Sequence, residues 1–255
     1  TVQGWMAGGV PEVMLHLRNE GMLKLEALTV SGKTLGEVLD WWEKSERRQR
    51  LREKLTQLDG IDPDNVIMSP TVAASRGITS TVTFPGGNLT PDGSVTKSTA
   101  IDPSKLDENG IYLHEGPARV FASEPSAIAA VKSTGEDRIK EGDVIVLIGL
   151  GPIGCGMPET AQITIALKHL PWGKNVALIT DGRFSGVSTG ACVGHLSPEA
   201  WAGGPIGKVR DGDTIRIEID CRKMTGSVDF IGDINELMAR PTNEKLQPLP
   251  NVPDD

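Results

Sequence analysis

The sequence predicts a mixed α/β protein: a β-barrel-like domain with helices packed outside it, preceded by a helical segment. Three observations carry that reading. Before Pro63, apolar residues recur at helical spacing. From Thr79 to Ile231, short β-rich runs alternate with Gly, Pro, Asn and Asp, and few helical segments lie among them. Within that region "KEGDVIVLI" from Lys140 and "RDGDTIRIEI" from Arg210 echo each other, each a charged Gly-Asp turn feeding a strand.

The elements follow in order. "GGVPEVMLHLRNEGML" reads as a glycine turn and a helix, with Pro11 suited to the first helical position and Val13, Met14 and Leu17 as its apolar stripe. Leu35, Val38, Leu39, Trp42, Leu51, Leu55 and Leu58 predict one helix over 35–58, closed by Gly60 as a left-handed cap. Trp41 and Trp42 read as packing residues. The basic run "SERRQRLREK" interleaves Glu46 and Glu53 and reads as a solvated helix face. The strand signals are "STVTF", "SVTKST", "ARVFA", "DVIVLI", "NVALIT" and "TIRIEI", with helices over Ser126–Val131 and Pro158–Leu170. After Gly232 the chain becomes Pro-rich and reads as an irregular tail or a partner-facing arm. The organisation expected is 1–62 helical, 63–232 barrel, 233–255 tail.

Composition sets bounds. A chain of 255 residues with a net charge of −8 argues against nucleic-acid or anionic-membrane partners. No apolar stretch approaches the ~18 residues that a membrane span needs. The start, "TVQGWMAGGVPEVM", shows no signal-peptide pattern, and it suits a domain start or a fragment of a longer chain equally. Cys155, Cys192 and Cys221 are odd in number and widely spaced, which fits a reducing cytoplasm better than a disulfide frame. His16, His114, His169 and His195 show no ligand spacing and read as packing or surface residues.

The stretch "DVIVLIGLGPIGCGMPE" poses the functional question. Its Gly149-Leu150-Gly151-Pro152-Ile153-Gly154 matches G-x-G-x-x-G after a strand, and "NVALITD" adds a second strand ending in Asp181. That is the pattern of a dinucleotide cradle. Against it, Gly156 and Pro158 delay the predicted helix start to Pro158, Asp181 lies far downstream, and strands and helices do not alternate regularly. The other reading is that the loop aims Glu159, in the first turn of that helix, at a hard cation. A plain capping glutamate is the simpler alternative. The glycine-rich run "ITDGRFSGVSTGACVGH" follows the next strand and gathers Asp181, Arg183, Ser185, Ser188 and Thr189 where backbone can approach a ligand.

The strings "GMPE", "ALITDGRFSG", "GHLSPEAWAGGPIG" and "GNLTPDGSV" resemble the C-terminal half of the dihydroxy-acid and sugar-acid dehydratases, a family that includes 6-phosphogluconate dehydratase. The run "TSTVTFPGGNLTPDGSVTKSTAIDPS" is most similar to the D-xylonate dehydratase branch. One departure is visible: the commoner pattern has a Pro before the Gly of "GMPE", whereas here Cys155 stands in a loop shorter by one residue.

The resemblance implies a swivelling β/β/α barrel-like domain, joined to the helical end of an N-terminal domain. It implies loss of water from a 2,3-dihydroxy sugar acid to give a 2-keto-3-deoxy acid. It makes Ser185 the catalytic base, Glu159 a magnesium ligand and Ser188 a substrate contact. Arg183 reads as a substrate contact or as a residue that, with Asp181, positions the loop by pairing with Asp181 or with the backbone, and Gly186 shapes the same loop. It implies Mg2+ and an iron–sulfur cluster of the 2Fe-2S type, the cluster held by an N-terminal half outside this chain. The partners implied are the sugar acid, that N-terminal domain and further copies in a dimer or tetramer. A non-catalytic assembly domain of the same fold and an NAD-binding oxidoreductase domain are the alternatives.

Overall fold

The computed structural model describes residues 2–76, 78 and 80–246, and divides the chain into two compact units, Thr1–Thr79 and Ser80–Asp255.

The first unit is helical: α1 (Val2–Met6), α2 (Gly9–Asn19), α3 (Leu35–Lys44), α4 (Glu46–Asp59) and α5 (Pro70–Ser75). The expected single helix over 35–58 is two, because Ser45 leaves helical geometry at φ −73, ψ 138. Its hydroxyl donates to the Trp42 carbonyl (2.8 Å) and accepts from the Arg48 N–H (3.2 Å), so one serine closes α3 and opens α4. Gly60 caps α4 in the left-handed region, as the sequence indicates. Leu15, Leu39 and Trp42 form one buried cluster, and Met6, Ala7 and Leu55 another; Trp41 is exposed. The basic run is not wholly a solvated face. Arg48 and Arg52 both reach the buried carboxylate of Glu12.

The second unit holds β1 (Val95–Thr96), β2 (Ile111–Phe121), α6 (Glu124–Lys132), β3 (Val144–Leu147), α7 (Pro152–Cys155), β4 (Glu159–Thr160), α8 (Gln162–Lys168), β5 (Ala177–Thr180), β6 (Arg183–Phe184), β7 (Cys192–Gly194), β8 (Thr214–Asp220), β9 (Thr225–Phe230) and α9 (Ile234–Ala239). Seven strands make a mixed sheet in the order β1-β7-β5-β3-β2-β8-β9. The run β2, β3, β5, β7 is parallel, and β1, β8 and β9 are antiparallel to their neighbours.

The long strand β2 bends the sheet. Ile111–Pro117 pairs with β8, whereas Ala118–Phe121 pairs with β3. At the join sits Gly116, where a Cβ would lie 1.9 Å from the Gly142 carbonyl oxygen, so only glycine lets the turn before β3 approach the strand there. The two outer edges are then linked by one segment. Thr83 bridges to Thr96 of β1, and Gly86 bridges to Ser227 of β9. The sheet curls into a half-barrel whose edges this segment joins.

Alternation along the parallel strands sorts the core. Val144, Val146 and Ile179 face the barrel interior with Ile215, Ile217, Ile219, Val228 and Phe230. Ile145, Leu147 and Leu178 face outward onto Ala127, Val131, Ile163 and Leu167 of α6 and α8. Strands buried on both faces read as near-continuous apolar runs, which is why "DVIVLI" and "NVALIT" stand out in the sequence.

The echo between the two Gly-Asp turns is structural. Asp143 accepts from the Lys140 N–H (2.8 Å) and Asp213 from the Arg210 N–H (2.7 Å). Gly142 and Gly212 take φ of 91 and 89. Strands and helices alternate more than expected, since β2-α6-β3 and β3-α8-β5 are both parallel crossovers. "STVTF" contributes only the bridge at Thr83, and β7 and β9 were not foreseen. Beyond Gly232 the chain is not irregular throughout: α9 forms, and Asn243 is buried with its amide donating to the Val209 carbonyl (2.6 Å). The closing Pro-rich residues 247–255 lie outside the described residues. No helix among the described residues is long and apolar enough to cross a membrane.

Candidate active site

The parallel strands β3 and β5 are neighbours, so the loops that follow them leave the same edge of the sheet. That edge is where open α/β sheets place ligands. Two surface strands then tie these loops together. β4 and β6 pair in parallel, with Glu159 opposite Arg183 and Thr160 opposite Phe184. The Thr160 hydroxyl donates to the Arg183 carbonyl (2.8 Å), and the Ser185 N–H donates to the Thr160 carbonyl (3.0 Å).

Glu159 therefore stands on a strand, which corrects the expectation of a helical first turn. Gly156 ends α7 at φ 71, Met157 follows at φ 58, and the chain leaves this turn extended. The helix-dipole argument for holding Glu159 ionised does not apply. What remains is an exposed carboxylate with no ion-pair partner among the described residues. Arg183 is exposed beside it, and its Nε–H donates to the Met157 carbonyl (3.0 Å).

Ser185 is buried at the end of β6. Its carbonyl accepts from the Ser188 N–H (2.9 Å), closing a tight turn, and its hydroxyl accepts from the Val187 N–H (3.4 Å). Gly186 lies exposed at the turn, with its carbonyl held by the Lys97 ammonium (2.7 Å). Ser188 is buried and takes a hydrogen bond from the Thr164 hydroxyl of α8 (3.1 Å). The structure thus brings Glu159, Arg183 and Ser185 to one ladder and places Ser188 behind them.

The glycine loop is filled from within. Asp181, 2% exposed, accepts from the N–H groups of Gly149 (3.0 Å), Leu150 (2.9 Å) and Ala200 (2.9 Å). Burial pushes its carboxyl above the usual range, and these three donors oppose the shift. Glu199 accepts from Ile153 (2.8 Å) and Gly154 (3.3 Å) at the start of α7. The amides a dinucleotide phosphate would use are occupied by the protein's own carboxylates. A helical turn does open inside the loop, at Pro152, but it ends at Cys155.

Sequence reasoning missed Glu199, Lys97 and Thr164. It also missed the local character of His195, a residue at φ 58 whose N–H donates to the Gly182 carbonyl (2.7 Å). Burial and then the Arg183 charge hold its ring below the usual histidine range. The left-handed backbone is invisible in a string, and Glu199 lies in "SPEA", far along the chain from the loop it caps.

The cysteines do not assemble. Cys155 is exposed, Cys192 buried and Cys221 intermediate, and burial pushes all three thiols up. Among the described residues no group of three or more His, Cys, Asp and Glu side chains is placed to hold a metal ion.

Residues 69–251 match the family model of the dihydroxy-acid/6-phosphogluconate dehydratase C-terminal domain. The chain belongs to this dehydratase family. It is 58% identical to the D-xylonate dehydratase YjhG of Escherichia coli (strain K12) over 267 residues, covering 100% of this chain and 40% of that protein. Against the D-xylonate dehydratase YagF of the same organism it is 56% identical, with the same coverage. A dihydroxy-acid dehydratase of Lachnospira eligens is 45% identical over 86% of this chain and 34% of its own length. The chain thus spans 40% of the length of the first two curated relatives. In this family setting the conspicuous strings fall into place. "GMPE" and "DGRFSG" are the two strands of the β4–β6 ladder with their turns, and "SPEA" supplies the carboxylate that fills the glycine loop.

Proposed function

We propose that this chain is the C-terminal part of a hydro-lyase that removes water from a 2,3-dihydroxy sugar acid such as D-xylonate. The observation that carries the reading is the β4–β6 ladder, which sets Glu159, a carboxylate with no ion-pair partner among the described residues, beside the Ser185 turn on one rim. The similarity to two D-xylonate dehydratases supports the substrate class.

In this reading the alkoxide of Ser185 takes the proton from C2 of the substrate, the C–O bond at C3 breaks, and the departing hydroxide takes up a proton from the Ser185 hydroxyl to leave as water. The resulting enol becomes the 2-keto-3-deoxy acid. Serine is a weak base and needs its alkoxide stabilised. The Val187 N–H aimed at its oxygen supplies part of that, and the Lys97 ammonium held at the same turn adds positive charge. Arg183 and Ser188 contact the substrate, and Asp181 and Gly186 keep the loops in shape.

The residues present fit one part of a magnesium site. Glu159 offers a hard, exposed carboxylate oxygen of the type such a cation takes, and among the described residues no group of three or more His, Cys, Asp and Glu side chains completes a cage. Mg2+ held there would bind the substrate carboxylate and stabilise charge on the enolate. The residues do not fit an iron–sulfur cluster, because among the described residues the three cysteines join no group placed to hold a metal ion. In this reading a cluster of the 2Fe-2S type and the remaining magnesium ligands are supplied by a part of the longer protein outside this chain. Further copies of the chain, in a dimer or tetramer, and a cytoplasmic setting complete the proposal.

The test is dehydration by the complete protein, assayed with D-xylonate and other sugar acids and paired with metal and sulfide analysis. Turnover with iron, sulfide and magnesium present is the expected result. A protein that binds neither metal nor sugar acid is a non-catalytic assembly domain instead.

A further inference from the structure

We propose that Glu199 is a positioning residue for Glu159: its buried carboxylate occupies the anion seat of the glycine loop and fixes the turn that delivers Glu159 to the rim. The inference rests on the reading of Glu159 as a magnesium ligand.

The argument runs through hydrogen bonds. β3 ends at Leu147 and Glu159 begins β4, so the intervening loop decides where Glu159 stands. Two carboxylates from other parts of the chain hold that loop. Asp181 takes the amides of Gly149 and Leu150, and Glu199 takes those of Ile153 and Gly154. The seat is tight. A Cβ on Gly151 would lie 2.1 Å from the Glu199 carboxylate, and one on Gly154 would lie 2.2 Å from the Gly149 carbonyl oxygen. Glu199 is itself anchored, because the Ala200 N–H that follows it donates to Asp181. From the far end of α7 the order continues without a gap. The Met157 N–H returns to the Gly151 carbonyl (3.2 Å), and the Met157 carbonyl receives Arg183, which faces Glu159 across the ladder.

A buried acid bonded to loop amides has a purely structural explanation as well, and the two accounts differ in what they move. If Glu199 only stabilises the fold, its loss lowers the melting temperature and leaves the folded protein's metal affinity intact. If it positions Glu159, metal affinity falls in the folded protein, by the ~10–100-fold typical of groups that orient a ligand.

The experiment uses the complete enzyme after chelation, with Mn2+ binding followed by electron paramagnetic resonance and loop amide exchange followed by mass spectrometry. Glu199→Ala is expected to weaken Mn2+ binding at least tenfold and to deprotect the amides of Ile153 and Gly154. Added formate, which refills the vacated carboxylate seat, is expected to restore both, and chloride at equal ionic strength is not. Unchanged Mn2+ affinity in Glu199→Ala, alongside weakened affinity in Glu159→Gln, overturns the inference alone. Unchanged affinity in Glu159→Gln overturns the reading of Glu159 on which it rests. Should Glu199→Ala fail to fold, Glu199→Gln decides by the same measurement, since it keeps the shape and one acceptor oxygen.

Discussion

Glu159 and Arg183 stand directly opposite each other in the parallel β4–β6 register, yet they form no ion pair; Arg183 instead donates to the Met157 carbonyl. An arginine already engaged by its Nε keeps its terminal nitrogens for another group, and an unpaired carboxylate keeps its oxygens for a cation. The two charges are set side by side without cancelling, as the roles proposed for them require.

That arrangement separates two variants. Glu159→Gln in the complete enzyme should raise the magnesium requirement, with turnover partly restored at high magnesium, because a neutral amide is a poorer ligand for a hard cation. Arg183→Lys keeps the charge but loses the fixed fork. It should raise KM for the sugar acid by roughly tenfold or more while leaving the magnesium requirement unchanged. Steady-state rates over a grid of magnesium and substrate concentrations check both. A shared phenotype would refute the division of roles.

Ser185→Ala should lower turnover by ~10²–10⁴-fold, the usual cost of losing a general base, with metal content unchanged. The rival account makes Ser185 a turn former whose hydroxyl merely accepts from Val187 at 3.4 Å. On that account the variant loses about 1 kcal/mol of stability and keeps its rate. Turnover within tenfold of the parent removes Ser185 from the centre of the mechanism.

What could be read in advance followed from local chemistry. The strands "DVIVLI" and "NVALIT" were legible because burial on both faces leaves unbroken apolar runs. Gly60 was legible because few other residues cap a helix in left-handed geometry at so little cost. The Gly-Asp echo was legible because the same turn recurs with the same aspartate bond at Asp143 and Asp213. The break at Ser45 was not, since serine is compatible with a helix interior until its hydroxyl caps the next one. Nor was the strand at Glu159. Pro158 favours a helix start in isolation, and only pairing with Arg183, far along the chain, draws Glu159–Thr160 into a ladder. The same non-local cause hid Glu199. The glycine loop matched a phosphate-binding pattern that its surroundings argue against, and the carboxylate that its amides hold comes from another motif.

Closure of the half-barrel depends on Gly87, at φ 118 with a Cβ position 2.3 Å from the Val228 carbonyl oxygen. Gly87→Ala should destabilise the second unit by ~1–3 kcal/mol, from overpacking together with an unfavourable φ. The loss should concentrate at the edge, so amide exchange should quicken at Leu89 and Val228, whose N–H groups donate to Val228 and Gly86 carbonyls. Gly86→Ala, with no atom within 4 Å of the added methyl, is the matched control and should be nearly neutral. Equal effects at both positions would show that the edge bridge is not what the glycine protects.

The first unit carries its own acid sensitivity at Glu12. Burial alone would push this carboxyl up. The hydrogen bond from Arg48 and the charges of Arg48 and Arg52 outweigh it and hold the group below the usual 4.5. The Arg48 contacts are 2.7 and 2.8 Å, and Arg52 approaches to 3.3 Å. A carboxyl whose value is lower in the folded state than in the unfolded one binds fewer protons when folded. Its contribution is therefore complete above about pH 4.5 and is lost as the pH falls through the folded value. Glu12→Gln should cost ~1.5–3 kcal/mol at neutral pH, since it leaves two arginines facing a neutral amide. The gap between variant and parent should then narrow as the medium is acidified below pH 4.5. Amide exchange in α2 and α4, followed in both proteins from neutral to acid pH, reads this directly in the unit concerned. A gap that stays constant across the range would mean that the arginines contribute packing rather than charge.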